Sequence, residues 1–240
     1  MADAGAEPAN AREAQEGCHA NADDGPVQAG LRNQWIQDVH LINPAATPMV
    51  GIAFTLHMPA REDLNKLEVF RDRNHPQRVA VEQCPPGAVL VIDSRKDARA
   101  ASAGSILISR LMIRGCAGVV TDGGFRDTPE LRRLPFPAYH NRPAAPTNLT
   151  LHQAIEIDGP IGCGDAPVFP GDVVVGDADG VIIVPAEIAD EIADEAVEMT
   201  AYEDFVIEQV RKGQKTLGLY PPTDDANLAA FAVWRKQNGR

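Results

Sequence analysis

The sequence predicts an α/β protein that carries a helical arm toward its C-terminal end. Three observations support this. First, two apolar runs, 88–93 (AVLVID) and 116–121, flank a stretch with helical apolar spacing, which reads as a strand–helix–strand unit. Second, short strand-like segments recur at 153–158, 172–176 and 180–185, and the last two flank a hairpin-type turn, Asp177-Ala-Asp-Gly180. Third, 185–212 and 226–238 each carry an amphipathic helical pattern.

Residues 1–30 hold six acids and one arginine, and Val27 is their only large aliphatic residue after Met1. Such a segment buries too little apolar surface to offset its ordering entropy, so it reads as a disordered tail, with helix allowed over 9–17. The folded body begins near Leu31. A strand is expected over 48–58 and a helix over 76–84, the latter stopped by Pro85-Pro86-Gly87. After strand 88–93, a helix is expected over 101–114, with apolar positions 106, 107, 111 and 112 and Gly115 as its stop. Residues 134–146 are punctuated by proline and read as extended. The long helix opens at Pro185, is acidic in its first turn and basic in its last, and ends at Gly213. In the final helix Leu228, Phe231 and Trp234 share one face, suited to docking on the core or on a neighbouring subunit. The division expected is a tail over 1–30, an α/β domain over 31–215 and an arm over 216–240.

A net charge of −12 argues against a nucleic-acid surface, which needs clustered Lys and Arg. No apolar run approaches the ~20 residues of a membrane span, and no secretory signal is read, so a cytoplasmic protein is expected. Cys18, Cys84, Cys116 and Cys163 follow no zinc spacing, and Cys116 reads as a small buried hydrophobe.

The segment richest in chemistry is Val119-Val-Thr-Asp-Gly-Gly-Phe-Arg-Asp127. Glycines at a strand end let the backbone turn tightly and approach a ligand. Arg126 offers a fork for a carboxylate or a developing enolate, and Asp127 offers a hard oxygen for a divalent cation. The pair could hold a metal-chelated 2-keto acid; taken as a dipeptide alone, it reads first as a surface ion pair on a turn. Its place at the C-terminal end of a strand is where open α/β sheets bind ligands.

The run Pro85-Pro-Gly-Ala-Val-Leu-Val-Ile-Asp93, then Gly104, then 114–127, followed by 170–185 (PGDVVVGDADGVIIVP), resembles the RraA-like family. The likeness covers roughly 31–215, and 134–152 resembles a subgroup named as ribonuclease activity regulators. The resemblance implies a swivelling β/β/α domain assembled as a homotrimer or homohexamer with active sites between subunits. It further implies a lyase that uses Mg²⁺ or Mn²⁺ on a small 2-keto acid. The reaction would be retro-aldol cleavage of the 4-hydroxy-4-methyl-2-oxoglutarate type, or oxaloacetate decarboxylation through a pyruvate enolate. By resemblance Asp127 holds the metal and Arg126 binds the keto oxygen. Backbone amides around Gly104, Ser105, Ile106 and Leu107 receive the substrate carboxylate, and an acid from the neighbouring subunit, Glu203 or alternatively Glu198, completes the site.

One departure is plain. The aldolase pattern sets an Asp, then twenty residues, then Arg-Asp; here the first position is Ser105. Serine cannot serve as an anionic ligand or as a base near pH 7. A non-catalytic regulator or scaffold, or a sugar-acid dehydratase, is therefore carried beside the lyase. His140 and Asn141 are placed to contact the distal end of a substrate or to bond their own loop. His40, His57 and His152 read as structural, and Asp172, Asp177 and Asp179 as turn residues. Arg95, Lys96 and Arg99 could attract an anionic substrate or lie solvated on a loop.

Overall fold

The computed structural model describes residues 30–59 and 66–240. The expectations for the tail, including helix over 9–17, lie outside the described residues.

In chain order the elements are β1 (His40–Leu41), β2 (Met49–His57), α1 (Pro76–Gln83), β3 (Ala88–Asp93), β4 (Ala101–Ala103) and α2 (Ser105–Ile113). Next come β5 (Gly118–Thr121), β6 (Gly124–Phe125), the single-turn α3 (Thr128–Leu131), β7 (Ala138–His140) and β8 (Arg142–Pro143). The chain continues with β9 (Glu156–Ile157), β10 (Ile161–Cys163), β11 (Ala166–Val168), β12 (Val173–Gly176), β13 (Val181–Val184), α4 (Ala189–Arg211) and α5 (Asp225–Asn238).

An eight-stranded sheet runs β1-β7-β5-β3-β2-β12-β13, with β9 added beside β2. Its centre, β2, β3, β5 and β7, is parallel, as the strand–helix–strand pattern requires; β1, β9, β12 and β13 pair antiparallel. Alternation along β3 explains the layering. Leu90 and Ile92 pack with Ala80, Val81, Ile108 and Leu111 of α1 and α2. Val89 and Val91 face the other way, onto Ile161, Cys163, Ala166 and Val168 of the β10–β11 hairpin. Both faces are covered, so β3 is apolar at every position but its last, and its layers stack as helix, sheet and hairpin, a β/β/α order. Burying each such aliphatic side chain contributes about 1.5–3 kcal/mol.

Three expectations are corrected. Residues 101–103 form β4 rather than the first turn of a helix, and the helix starts at Ser105. Ser102, fully buried, bonds other side chains there, which favours an extended segment. The buried stripe of α2 is Ile108 and Leu111, whereas Ile106 is 78% exposed. At the other end, α5 lies against α4 through Tyr202, Phe205, Phe231 and Trp234, with Tyr202 and Phe231 edge-to-face at 5.0 Å. Leu228, expected on that face, is 44% exposed. No helix among the described residues is long and apolar enough to cross a membrane.

Candidate functional site

The site is built on the turn that follows β5. Beneath it runs a ladder of buried hydroxyls: Ser94 Oγ lies 2.7 Å from Ser102 Oγ, and Ser102 Oγ lies 2.8 Å from Thr121 Oγ1. Thr121 Oγ1 accepts the Gly123 N–H at 3.0 Å. A Cβ on Gly123 would fall 2.6 Å from Ser94 Cβ, so the ladder needs glycine there. Asp122, fully buried, accepts three backbone N–H bonds, from Ser94, Lys96 and Gly164, and so ties the turn to two neighbouring loops. Burial pushes its carboxyl above the usual range, against those donors. A polar network satisfied in this way is rigid.

From this base β6 pairs in parallel with β4 and β8, and the Arg126 N–H donates to Ala103 O at 3.1 Å. Arg126 and Asp127 therefore project beside the start of α2. Asp127 is in the left-handed region at φ 60° and opens α3. Ser105 donates twice to Asp127 Oδ2, from its backbone N–H and from Oγ–H, each at 3.1 Å, and neither bond uses Oδ1. Arg126 Nε sits 3.7 Å from the same Oδ2, and the two side chains are 45% and 39% exposed. At that exposure water screens the pair, which adds little to stability.

Gly104 caps α2 in extended conformation, and a Cβ there would meet Asp127 Oδ2 at 2.7 Å and Arg126 Nε at 2.8 Å. The glycine lets the Arg-Asp pair lie directly against the helix start. The first N–H groups of a helix have no acceptor within it and carry partial positive charge, which suits a carboxylate.

Gly104, Ile106, Leu107, Arg126 and Asp127 line one cleft of about 80 Å³, with Ser105 bonded to its edge. Residues the sequence did not single out line it too, among them Gln77 and Arg78 of α1, and Thr147 and Asn148. Gln77 carried a faint signal, a polar residue on the buried side of a short helix; Thr147 and Asn148 carried none beyond a proline-rich loop.

Other expected residues fall elsewhere. His140 is not among the cleft-lining residues: it is buried at the end of β7, stacks on Phe125 with centroids 5.9 Å apart, and its Nδ1 accepts the Phe125 N–H. Burial, then the charges of His40 and Arg132, lower its pKa to about 4. It supports the turn from behind. Glu203, on α4, accepts from Tyr220 Oη at 2.9 Å, and Glu198 pairs with Arg235; neither lines the cleft of its own chain. Lys96 pairs with Asp165 and Arg99 with Asp97, whose carboxyl is held down to about 2 by that guanidinium. Arg95 and Lys96 line a separate hollow with Asp93 and Asp122. Asp177 accepts the N–H groups of Asp179 and Gly180 within its turn; Asp172 accepts that of Phe169 locally and that of Ala186 from beyond β13, so it ties the two ends of the hairpin together.

A layered β/β/α domain with an Arg-Asp turn against a helix start defines a class, and the comparisons with known proteins name it. The chain belongs to the RraA-like family, Aldolase/RraA, whose model matches residues 19–183. It is 34% identical over 138 residues to a Halalkalibacterium halodurans protein provisionally named 4-hydroxy-4-methyl-2-oxoglutarate aldolase, a match that covers 57% of this chain and 60% of that one. The chain thus spans under two thirds of that relative. The 4-hydroxy-4-methyl-2-oxoglutarate aldolase of Thermus thermophilus is 32% identical over 140 residues, covering 58% of this chain and 84% of that one. Among solved structures, RraAS2 of Streptomyces coelicolor, described as an unusual member of the RNase ES inhibitor RraA protein family, superimposes with a TM-score of 0.73 at 25% identity, over 83% of this chain and 96% of that one.

Proposed function

We propose that this chain is a lyase acting on small 2-keto acids with the help of a divalent cation, and that decarboxylation of a 3-carboxy-2-keto acid such as oxaloacetate is the reaction its own cleft is best equipped for. The observation that carries this reading is the meeting of Arg126, Asp127 and the start of α2 around one small cleft. Aldolase names among the relatives support it.

The cleft's donors suit such a cation in one respect. No group of three His, Cys, Asp or Glu suited to a metal occurs among the described residues. Mg²⁺, however, keeps several waters and takes one or two carboxylates plus substrate oxygens. Asp127 would supply that carboxylate, through the Oδ1 that Ser105 leaves alone. When bound, the cation supplies Lewis acidity toward the substrate's keto oxygen.

The residues do the rest. The Ser105 N–H is taken by Asp127, so the N–H groups that follow it at the start of α2 would receive the 1-carboxylate. Arg126 is aimed where negative charge grows on the keto oxygen as the C–C bond breaks, and it is already in place before the charge develops. Ser105 fixes the Asp127 carboxylate by two bonds. The choice of reaction follows from what the lining contains. Decarboxylation needs an electron sink but no base, because the departing carboxylate supplies the electron pair. Retro-aldol cleavage must also remove a proton from a hydroxyl, and the lining offers no acid or base other than Asp127. Glu203 or Glu198 of a neighbouring subunit in a trimer or hexamer would be the source of one.

Release of pyruvate from oxaloacetate and from 4-hydroxy-4-methyl-2-oxoglutarate, with Mg²⁺ or Mn²⁺ and with chelator, tests this. Metal-dependent release above the metal-only background, faster from oxaloacetate, is expected; release from neither substrate would sink the proposal. A regulator or scaffold is the second reading. Ser105 in place of an acid favours it, as does the inhibitor family to which the Streptomyces neighbour is assigned.

A further inference from the structure

Two cysteines that the cleft does not use, Cys84 and Cys116, share one corner of the core. Cys84 ends α1 and is fully buried, whereas Cys116, just before β5, is 7% exposed. Both belong to the apolar cluster that holds Leu90, Ile108 and Leu111. The segments that carry them are pinned side by side. The Gly87 N–H donates to Gly115 O and the Ala117 N–H to Ala88 O, each at 2.8 Å. Cys116 Sγ lies 3.7 Å from Cys84 O, and the two side chains interact directly, thiol with thiol. Arg114 Nη2 reaches the same Cys84 O at 3.4 Å, which sets a guanidinium beside the pair. The surroundings treat the two sulfurs differently. The bond from Cys84 lowers the Cys116 thiol, opposed by burial and helped by Arg114. The same bond, with burial added, raises Cys84. Cys163 packs on the opposite face of the sheet and has no part in the pair.

We propose that Cys84 and Cys116 form a peroxide-responsive pair that closes to a disulfide. Cys116 reacts first, because it carries the thiolate and the solvent contact, beside a guanidinium. Its sulfur attacks one peroxide oxygen and the O–O bond breaks. Hydroxide leaves and takes up a proton as water, and Cys116 becomes a sulfenic acid. Cys84 then gives up its proton and attacks that sulfur. The S–O bond breaks, a second water leaves and the S–S bond forms. Two thiols are oxidised and one peroxide is reduced to two waters. The new bond would join the end of α1, whose Gln77 and Arg78 line the cleft, to the start of β5, which leads into the Arg126-Asp127 turn.

The test treats folded, full-length protein with hydrogen peroxide, alkylates the remaining thiols and maps the peptides by mass spectrometry. Loss of both thiols to one peptide pair, joined through Cys84 and Cys116 and released by dithiothreitol, is expected. In Cys84→Ala the reaction should stop at the Cys116 sulfenic acid, which dimedone traps. In Cys116→Ala, Cys84 should stay reduced, and unfolding curves of both variants check the fold. No link between Cys84 and Cys116 in wild-type protein overturns the inference, whatever the variants do. Dimedone labelling of Cys84 in Cys116→Ala overturns the order of attack.

Discussion

Replacing Gly104 with alanine separates the geometry of the site from the stability of the fold. At φ −133° and ψ −179° the backbone accepts alanine without strain. The new Cβ would lie 2.7 Å from Asp127 Oδ2, 2.8 Å from Arg126 Nε and 2.9 Å from Arg126 Cγ, where ordinary contact starts at 3.4 Å. Each group must therefore retreat by roughly half an ångström, and both side chains are exposed enough to do so. The fold should barely respond, within about 1 kcal/mol, because the relaxation is local and alanine reduces unfolded-state freedom. The chemistry should respond strongly. Misplacing reacting groups by 1 Å can cost about 100-fold, so half that displacement predicts a loss of roughly 10- to 100-fold in pyruvate release. Thermal unfolding and steady-state rates on the same preparation read the two effects apart. Full activity in a folded Gly104→Ala protein would refute the placement of the reacting groups against the helix start.

Other consequences are open to measurement. Ser105→Asp sets a second carboxylate beside Asp127, so Mn²⁺ affinity measured by paramagnetic resonance should rise and retro-aldol turnover should increase; unchanged Mn²⁺ affinity would remove Asp127 from the metal's ligands. His140 has a folded pKa of about 4, below its ordinary 6.5. Between those values the unfolded chain binds the extra proton, so stability is held above pH 6.5 and falls as pH drops toward 4, by roughly 3 kcal/mol. Denaturant unfolding at stepped pH should show that loss in wild type and a smaller one in His140→Gln. Phe205, 2% exposed among Tyr202, Phe231 and Trp234, should cost about 3–5 kcal/mol as alanine and free α5, read as faster amide exchange over 225–238.

The parts of the fold that were legible from sequence are those whose pattern follows from burial. β3 was readable to the residue, because a strand covered on both faces is apolar almost throughout and Pro85-Pro86-Gly87 marks its start. The β12–β13 hairpin was readable because Asp177 accepts the N–H groups that close its turn. The β10–β11 hairpin and the β4-β6-β8 sheet were not, since strands of two or three residues carry no periodicity and their pairing is decided by distant partners. Ile106 shows the limit of stripe counting: it occupies a helical position yet stands in the open cleft, where its neighbours are site residues rather than core.

The candidate site divides the same way. Arg126 and Asp127 stood out as a charged pair behind a glycine turn, with a surface ion pair left open, and Gly104 entered through the family resemblance; the fold brings the three together at one cleft. Ser105 was singled out by spacing alone; its two bonds to Asp127 became visible only in three dimensions. Asn148 and Arg78 enter the cleft from a loop and a helix far away in sequence, and no local pattern marks them.

The central claim is that Arg126 and Asp127 act together on a 2-keto acid with a divalent cation. The most direct measurement is the rate of pyruvate release from oxaloacetate by wild type, Arg126→Ala and Asp127→Asn, each with Mg²⁺ and with chelator. The account predicts metal-dependent release by wild type, a loss of about 100- to 1000-fold in Arg126→Ala with Mg²⁺ present, and no metal response in Asp127→Asn. Equal rates in all three proteins, or release untouched by chelator, would contradict it.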